Sequence, residues 1–346
     1  MTISGVVDVG VKNVSKAATG AAKTSVGSGN NNRVAFGVTE DLGGGLKAVA
    51  NAQMRFDPAT GKPEAGVNEN TGRPLFQGET RVGLSGGFGT VMAGRGLTAL
   101  QLPNGGNSDP WGVSTVAGSV YAAGFATDYA AGGEGRIDQG LWYTSPSFGG
   151  LTLSASFSPR KVVTSGVASK THQSINALYA NGPLVVGLGN ERNRANDTIT
   201  QLYGNYDLGA AKLYASTASI KGGTSAEQAL GGSFAAAASA VNSGNGAVGP
   251  VAAGGKITNN TVGVMVPMGA LSLRAGYSQW NGNGSATVAQ KKDNKLGFGV
   301  KYDLSKRTYI YSDLATQTRK NNTGTAADGK DNTNIRSFDL GVAHSF

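Results

Sequence analysis

The dominant pattern along this chain is an alternation of apolar and polar residues with period two. Near the C-terminus Phe338, Leu340, Val342 and Phe346 share one parity, interrupted only by His344, while Ser337, Asp339, Gly341, Ala343 and Ser345 share the other. Leu296, Phe298, Val300 and Tyr302 alternate with Lys295, Gly297, Gly299 and Lys301, and Leu271, Leu273, Ala275 and Tyr277 alternate with Ser272, Arg274, Gly276 and Ser278. Val34, Phe36 and Val38 do the same against Arg33, Ala35 and Gly37. Successive side chains of a strand point to opposite faces, so the pattern predicts strands with one apolar and one polar face. In a soluble sandwich the apolar face would be a core. In a membrane barrel it meets lipid and the polar face lines water.

The connections separate these readings. Strands are expected at 1–12, 32–42, 45–57, 77–85, 88–96, 136–146, 149–159, 170–181, 183–192, 197–207, 211–220, 258–267, 270–281, 292–303, 306–317 and 334–346. The even-numbered strands run into tight turns rich in Gly, Asn, Asp and Pro, such as Asp41-Leu42-Gly43-Gly44, Asn181-Gly182 and Pro267-Met268-Gly269. The odd-numbered strands mostly run into long polar loops at 13–31, 58–76, 97–135, 160–169, 221–257, 282–291 and 318–333, with 193–196 a short exception. Short and long connections in strict alternation put turns at one rim and loops at the other. An even strand count lets the last strand pair with the first and removes the sheet edges. The expectation is an all-β, antiparallel transmembrane barrel of about sixteen strands, a single domain over 1–346. The Gly/Ala/Ser-rich segment 221–257 reads as a mobile loop, with a short helix within Ser225–Ala240 as the alternative.

Composition narrows the function. Of 346 residues 39% are apolar, 15% are charged and 55 are glycine, which fits neither a disordered chain nor a collagen. No apolar run is long enough for a transmembrane helix, a length strands do not need. A basic segment leading into an apolar stretch is missing at the start, so Met1 is expected to replace a cleaved secretory signal. Without cysteine there are no disulfides, thiolate chemistry or Cys-based zinc sites. The net charge of +9 is compatible with nucleic acid, an anionic membrane surface or an anionic solute. Basic residues spread around the expected barrel and lacking one patch argue against nucleic acid. His172 and His344 lie on strands far apart and are expected at the surface or rim, without catalytic or metal roles. Neither G-x-S-x-G nor H-E-x-x-H occurs, and the glycine-rich pieces fall at turns, so nothing points to an enzyme.

The chain resembles the general porins of Gram-negative outer membranes, in particular a β-proteobacterial branch with anion-selective members. The resemblance is carried by Thr39-Glu40-Asp41-Leu42-Gly43-Gly44-Gly45-Leu46-Lys47-Ala48 and by Gly83-Leu84-Ser85-Gly86-Gly87-Phe88-Gly89-Thr90-Val91 followed by Gly94-Arg95. Leu304-Ser305-Lys306-Arg307-Thr308 and the terminal Phe346 add to it. It implies a sixteen-stranded barrel, a homotrimer, a third loop folded inward, and recognition of Phe346 by the barrel assembly machinery. Its setting would be the lipid bilayer and lipopolysaccharide of the outer membrane, with small anionic solutes as its cargo. No cofactor is expected, and calcium in the loops is left open.

A pore needs charge where it is narrowest. Alternation places Arg33, Lys47, Arg55, Arg81, Arg136, Arg274 and Lys301 on the polar face. The resemblance implies that Arg33, Arg95 and Arg136 form a basic constriction wall, facing an inward loop 97–135 that carries Asp109, Asp128 and Glu134. Where relatives often have an arginine near the start of the fourth strand, this chain has Gly78 and Glu79, and Arg81 is expected to substitute. Asp8, Asp138, Asp303 and Asp339 share the polar face and dilute the field. Trp142, Tyr143, Phe157, Tyr179, Tyr206, Trp280 and Tyr302 are expected in interfacial girdles. The functional expectation is a passive channel for small hydrophilic solutes with anion preference. A solute-specific channel for phosphate or a dicarboxylate, and a non-conducting adhesin or anchor, remain the alternatives.

Overall fold

The computed structural model describes residues 1–15, 23–29, 32–63, 75–112, 114–118, 136–159, 163–164, 167–231, 251, 253–283, 291–321 and 331–346. Its strands are β1 (Thr2–Val14), β2 (Lys23–Gly27), β3 (Arg33–Gly43), β4 (Leu46–Arg55), β5 (Glu79–Gly86), β6 (Gly89–Leu97), β7 (Arg136–Thr144) and β8 (Leu151–Ser158). After the small hairpin β9 (Val163–Thr164) and β10 (Val167–Ala168) come β11 (His172–Asn181), β12 (Leu184–Arg192), β13 (Thr198–Asp207) and β14 (Lys212–Lys221). The series ends with β15 (Lys256–Met268), β16 (Leu271–Asn283), β17 (Lys291–Asp303), β18 (Thr308–Asn321) and β19 (Asp331–Ser345). Two helices, α1 (Gln101–Ser108) and α2 (Ser225–Gly231), lie in the long connections.

Every strand of the ring pairs antiparallel with its sequence neighbour, and β1 pairs with β19 from Val6↔Ser345 to Val14↔Ser337. β2 and β3 both lie against β1, at Gly10–Val14 and Thr2–Val6, so they are two pieces of one barrel position. The seventeen-stranded sheet of the described residues is therefore a closed barrel of sixteen positions. All sixteen expected strands are present, with ends displaced by a few residues. Two small elements lie where loops were expected: β2 within 13–31, and the β9–β10 hairpin within 160–169.

The two faces follow the alternation. Outward positions include Val82, Ile175, Leu314 and Leu340, which are 62%, 60%, 57% and 52% exposed, while inward Ser337, Asp339, Asp313 and Lys295 are buried. An apolar belt of this extent is untenable in water and is the solvated face in hydrocarbon. Turns close the opposite rim. At the β3–β4 hairpin Gly43, Gly44 and Gly45 all hold positive φ, and the Gly43 N–H donates to Asp41 Oδ1 at 2.9 Å.

Three expectations need correction. Trp142 points inward, its indole N–H bonded to Leu97 O at 2.7 Å, and Trp280 belongs to an internal apolar cluster with Leu100, Ile199, Tyr203 and Ile257. Neither is in a girdle, because each ring fills interior space that the lining polar residues leave open; Tyr143, Phe157, Tyr179, Tyr206 and Tyr302 are exposed on the outside. His172 is fully buried, with Nε2 3.1 Å from Glu191 Oε1, and so is no rim residue. In the segment 221–257 the short helix is the reading that holds, at Ser225–Gly231.

Candidate functional site

The segment after β6 turns into the barrel and runs along its inner wall. The Thr98 hydroxyl donates to Glu191 Oε2 at 2.6 Å, and the Ala99 and Leu100 N–H groups donate to Ser156 Oγ and Ser174 Oγ, each at 3.0 Å. α1 then packs against β12, β13 and β14, with Asn104 Nδ2 donating to Gln201 Oε1 at 2.6 Å and Asn205 Nδ2 to Asn107 Oδ1 at 3.0 Å. Further on, Trp111 Nε1 donates to Asp313 Oδ1 at 2.6 Å, and the Val116 N–H donates to Asp339 Oδ2 at 2.9 Å. Lys295 Nζ donates to Gly118 O, and the Thr115 N–H reaches Gly29 O at 2.7 Å. The loop thus crosses from β8 to β19, and each of these carboxylates and amides on that wall bonds to it. Glycines at inward positions make the seat. A Cβ on Gly263 would stand 2.6 Å from the Pro110 ring, one on Gly276 2.8 Å from the Trp111 ring, and one on Gly297 2.6 Å from Ala117 O.

On the remaining wall five consecutive strands each present one arginine: Arg33 on β3, Arg55 on β4, Arg81 on β5, Arg95 on β6 and Arg136 on β7. Arg33 and Arg55 are direct register partners, a like-charge pair. Arg81 donates through Nη2 to Glu79 Oε2 at 2.7 Å, an oxygen that also accepts from Asn51 Nδ2, and its guanidinium lies 5.2 Å from the Trp142 ring centre. Gly96 gives Arg81 room, since a Cβ there would come within 3.0 Å of its Cδ. Arg95 donates through Nε to Gln77 O at 3.0 Å and pairs with Asp138, and Arg136 Nε donates to Gly78 O. Backbone carbonyls of 77 and 78 therefore hold two guanidinium groups without cancelling their charge. Glu79 pairs with Arg81 and Asp138 with Arg95.

Other expected residues lie elsewhere. Asp109 is buried and caps the turn after α1, accepting the Trp111 N–H at 3.1 Å. It stands close enough to Lys295 and Tyr214 to act on both electrostatically, which places it on the wall to which the loop is bonded. Asp128 and Glu134 lie outside the described residues. Arg274 is on β16 within electrostatic reach of Asp313, to which the loop's Trp111 bonds, and Lys301 is paired with Asp303 at 2.7 Å near the end of β17, so both lie off the arginine-bearing strands. Lys47 is exposed near the turn rim, opposite Ser85. The expectations missed Gln77 and Gly78, whose carbonyls position two arginines; backbone acceptors leave no trace in residue type. Arg55 was counted only as a general lumen charge, yet it sits in the arginine row.

A closed barrel with an inward loop and a charged strip beside it is the architecture of a diffusion channel. The family model described as Gram-negative porin matches residues 1–322, and the chain belongs to that family. It is a channel protein of the outer membrane and not an enzyme. It is 26% identical over 334 residues to outer membrane porin protein 32 of Delftia acidovorans, covering 91% of this chain and 83% of that one. It is 28% identical over 309 residues to an outer membrane porin protein of Bordetella pertussis, covering 82% of this chain and 76% of that one. Among solved structures, the anion-selective porin from Comamonas acidovorans superposes with a TM-score of 0.75 at 22% identity, covering 100% of this chain and 99% of that one.

Proposed function

We propose that this channel prefers anions and that Arg33, Arg81, Arg95 and Arg136, joined by Arg55, set the preference. The observation that carries this reading is the row of five arginines on β3–β7, the wall opposite the one to which the described loop residues bond. Arginine stays charged at any working pH and presents paired donors to carboxylate or phosphate oxygens. Fixed charge of one sign between low-dielectric walls concentrates counter-ions. Asp128 and Glu134 in the loop would supply the opposing charge of a transverse field. The relative from Comamonas acidovorans is described as anion-selective, which agrees with this assignment. The same reading assigns the chain to a homotrimer carrying small anionic solutes, with Phe346 read by the assembly machinery.

The test is the reversal potential in a KCl gradient. Neutralising Arg33, Arg95 and Arg136 together should move permeability severalfold from chloride toward potassium. At an effective dielectric of about 20, a unit charge about 8 Å from an ion acts with about 2 kcal/mol before salt screening. The shift should be largest in dilute salt, because the Debye length is about 30 Å at 0.01 M and about 3 Å at 1 M. Lys301→Gln should shift it little, because Lys301 lies on β17, away from the arginine row on β3–β7. An unchanged reversal potential at low salt, with channels still opening, would sink the assignment.

A further inference from the structure

The barrel position shared by β2 and β3 is broken in the middle, and the break faces the lumen. β2 pairs with β1 as far as Gly10↔Gly27, and β3 takes over at Val6↔Arg33. Between those points β1 has three residues, Val7 to Val9, while the facing chain has five, 28–32, of which Ser28, Gly29 and Asn32 are described. Extra residues opposite a regular strand make a bulge and bend the chain out of the sheet. Here the bend goes inward, midway along β1. The Gly29 N–H donates to Asp8 Oδ1 at 3.0 Å, and Asp8 is a buried inward residue next to exposed Val7. The Tyr311 hydroxyl donates to the same oxygen at 2.8 Å, and a Cβ on Gly29 would stand 2.3 Å from that hydroxyl. Lys12 Nζ reaches Ser28 O at 3.4 Å, and the Asp8 N–H donates to Asn32 Oδ1. Ser28, Gly29 and Asn32 are all buried.

The bulge touches both sides of the pore. On one side Gly29 O accepts the Thr115 N–H of the inward loop at 2.7 Å, next to the Val116 N–H held by Asp339 on β19. On the other, Asn32 runs directly into Arg33, the first of the arginine row. β1 lies between, paired with β19 along one edge and with β3 along the other. We propose that the bulge is a fixed part of the constriction and that Asp8 is its positioning residue. By keeping Gly29 inside the barrel, Asp8 holds the Thr115–Gly118 stretch of the loop in place and sets the width of the pore at that level. The physical reason is the backbone. A buried N–H requires an acceptor, and a carboxylate is the strongest that the sheet can offer. Without it the Gly29 N–H is better satisfied by water, and a bulge that relaxes takes Gly29 O away from Thr115. The role needs an oxygen at one place and not a negative charge, so it stands apart from the channel's ion preference.

The test places the full chain in planar bilayers with neutral polyethylene glycols of graded size, which report width without regard to charge. Asp8→Ala removes the acceptor, so the exclusion limit should rise by at least one polymer size and the single-channel conductance should rise with it. Hydrogen-exchange protection of the Thr115 amide, measured in detergent, should fall about tenfold or more in the same variant. Asp8→Asn loses the charge but keeps an oxygen for both donors, and should retain the wild-type exclusion limit and Thr115 protection. Gly29→Ala changes no charge and drives the bulge off Tyr311, so it should widen the pore as Asp8→Ala does. It serves if Asp8→Ala does not fold. A wild-type exclusion limit in folded Asp8→Ala or Gly29→Ala channels would overturn the proposal. Equal widening by Asp8→Asn and Asp8→Ala would overturn it in favour of a purely electrostatic role. A widened pore with Thr115 still protected would overturn it too, because the loop would then not be what moved. Polymer exclusion is blind to ion preference, so its failure leaves the reversal-potential result standing, and the converse holds.

Discussion

Arg95 shows how one irregular residue decides where a charge goes. Its register partner is Thr80, whose side chain is exposed, so unbroken alternation would turn Arg95 to lipid. The register between β6 and β7 instead shifts between Gly94 and Gly96, with Gly94 at φ +135° and Gln139 at φ +51°, and Arg95 is left 9% exposed. A Cβ on Gly94 would stand 2.1 Å from Thr80 O. Gly94→Val should therefore cost about 1–3 kcal/mol of barrel stability from backbone strain. It should also move the reversal potential part of the way toward the triple arginine variant. A wild-type reversal potential in a folded Gly94→Val channel would show that the bulge does not aim the charge. Arg33, Arg55 and Arg81 were legible from parity alone because their strands are regular. Arg95 was not, since a bulge breaks the period that parity arguments use. Trp142 and His172 were misplaced for a related reason: residue type says that a group is amphipathic, not which polar partner it finds.

At the scale of elements the chain's turns, loops and strands were readable because glycine and aspartate mark positive φ and capped turns. The inward path of 98–112 and 114–118 was implied only by resemblance, yet its seat is written in glycines at inward positions of β15, β16 and β17. These look like ordinary strand breakers until the loop is placed on them. Trp111→Ala removes the ring over Gly276 and the bond to Asp313 and leaves the barrel ladder intact. The expected result is a channel with near wild-type heat stability but altered and noisier single-channel conductance. Identical conductance would mean that Trp111 does not hold the loop. α2 offers a pH test outside the membrane. Thr224 and Glu227 form a reciprocal cap: the Thr224 N–H donates to Glu227 Oε2 at 2.8 Å and the Glu227 N–H to Thr224 Oγ1 at 3.3 Å. The Thr224 N–H, then its hydroxyl, holds the Glu227 carboxyl below its ordinary value. A depressed folded value means that the cap is complete above the unfolded value, about 4.3, and is lost as pH falls through the folded one. Hydrogen-exchange protection of 225–231, corrected for intrinsic rates, should drop below pH ~4 in the wild type. In Glu227→Gln it should be low and flat with pH. The same pH profile in both would remove Glu227 from the cap.

The whole molecule is held as a ring by one seam, where the first strand meets the last. Beyond the ladder from Val6 to Val14, Gly5 and Phe346 exchange both backbone hydrogen bonds, at 3.0 and 3.1 Å. The Phe346 ring lies over Gly5 so closely that a Cβ there would be 2.4 Å from its Cζ. The terminal aromatic therefore has two separable tasks: closing the seam, visible here, and serving as the proposed assembly signal. Phe346→Ala keeps the backbone pair and loses a ring that is 43% exposed, so refolding in detergent should cost no more than about 1–2 kcal/mol. Gly5→Val keeps the ring but forces it off the seam, and should lower refolding and heat stability more. If the aromatic end is read during assembly, outer-membrane levels in cells should fall severalfold for Phe346→Ala, more than its refolding loss. They should fall for Gly5→Val only in proportion to its refolding. The measurements are the refolded fraction in vitro and the quantity of folded barrel in outer membranes for each variant. Phe346→Ala at wild-type levels in cells would remove the signal. A fall matched by the loss in vitro would do the same, leaving the residue a seam closure and nothing more.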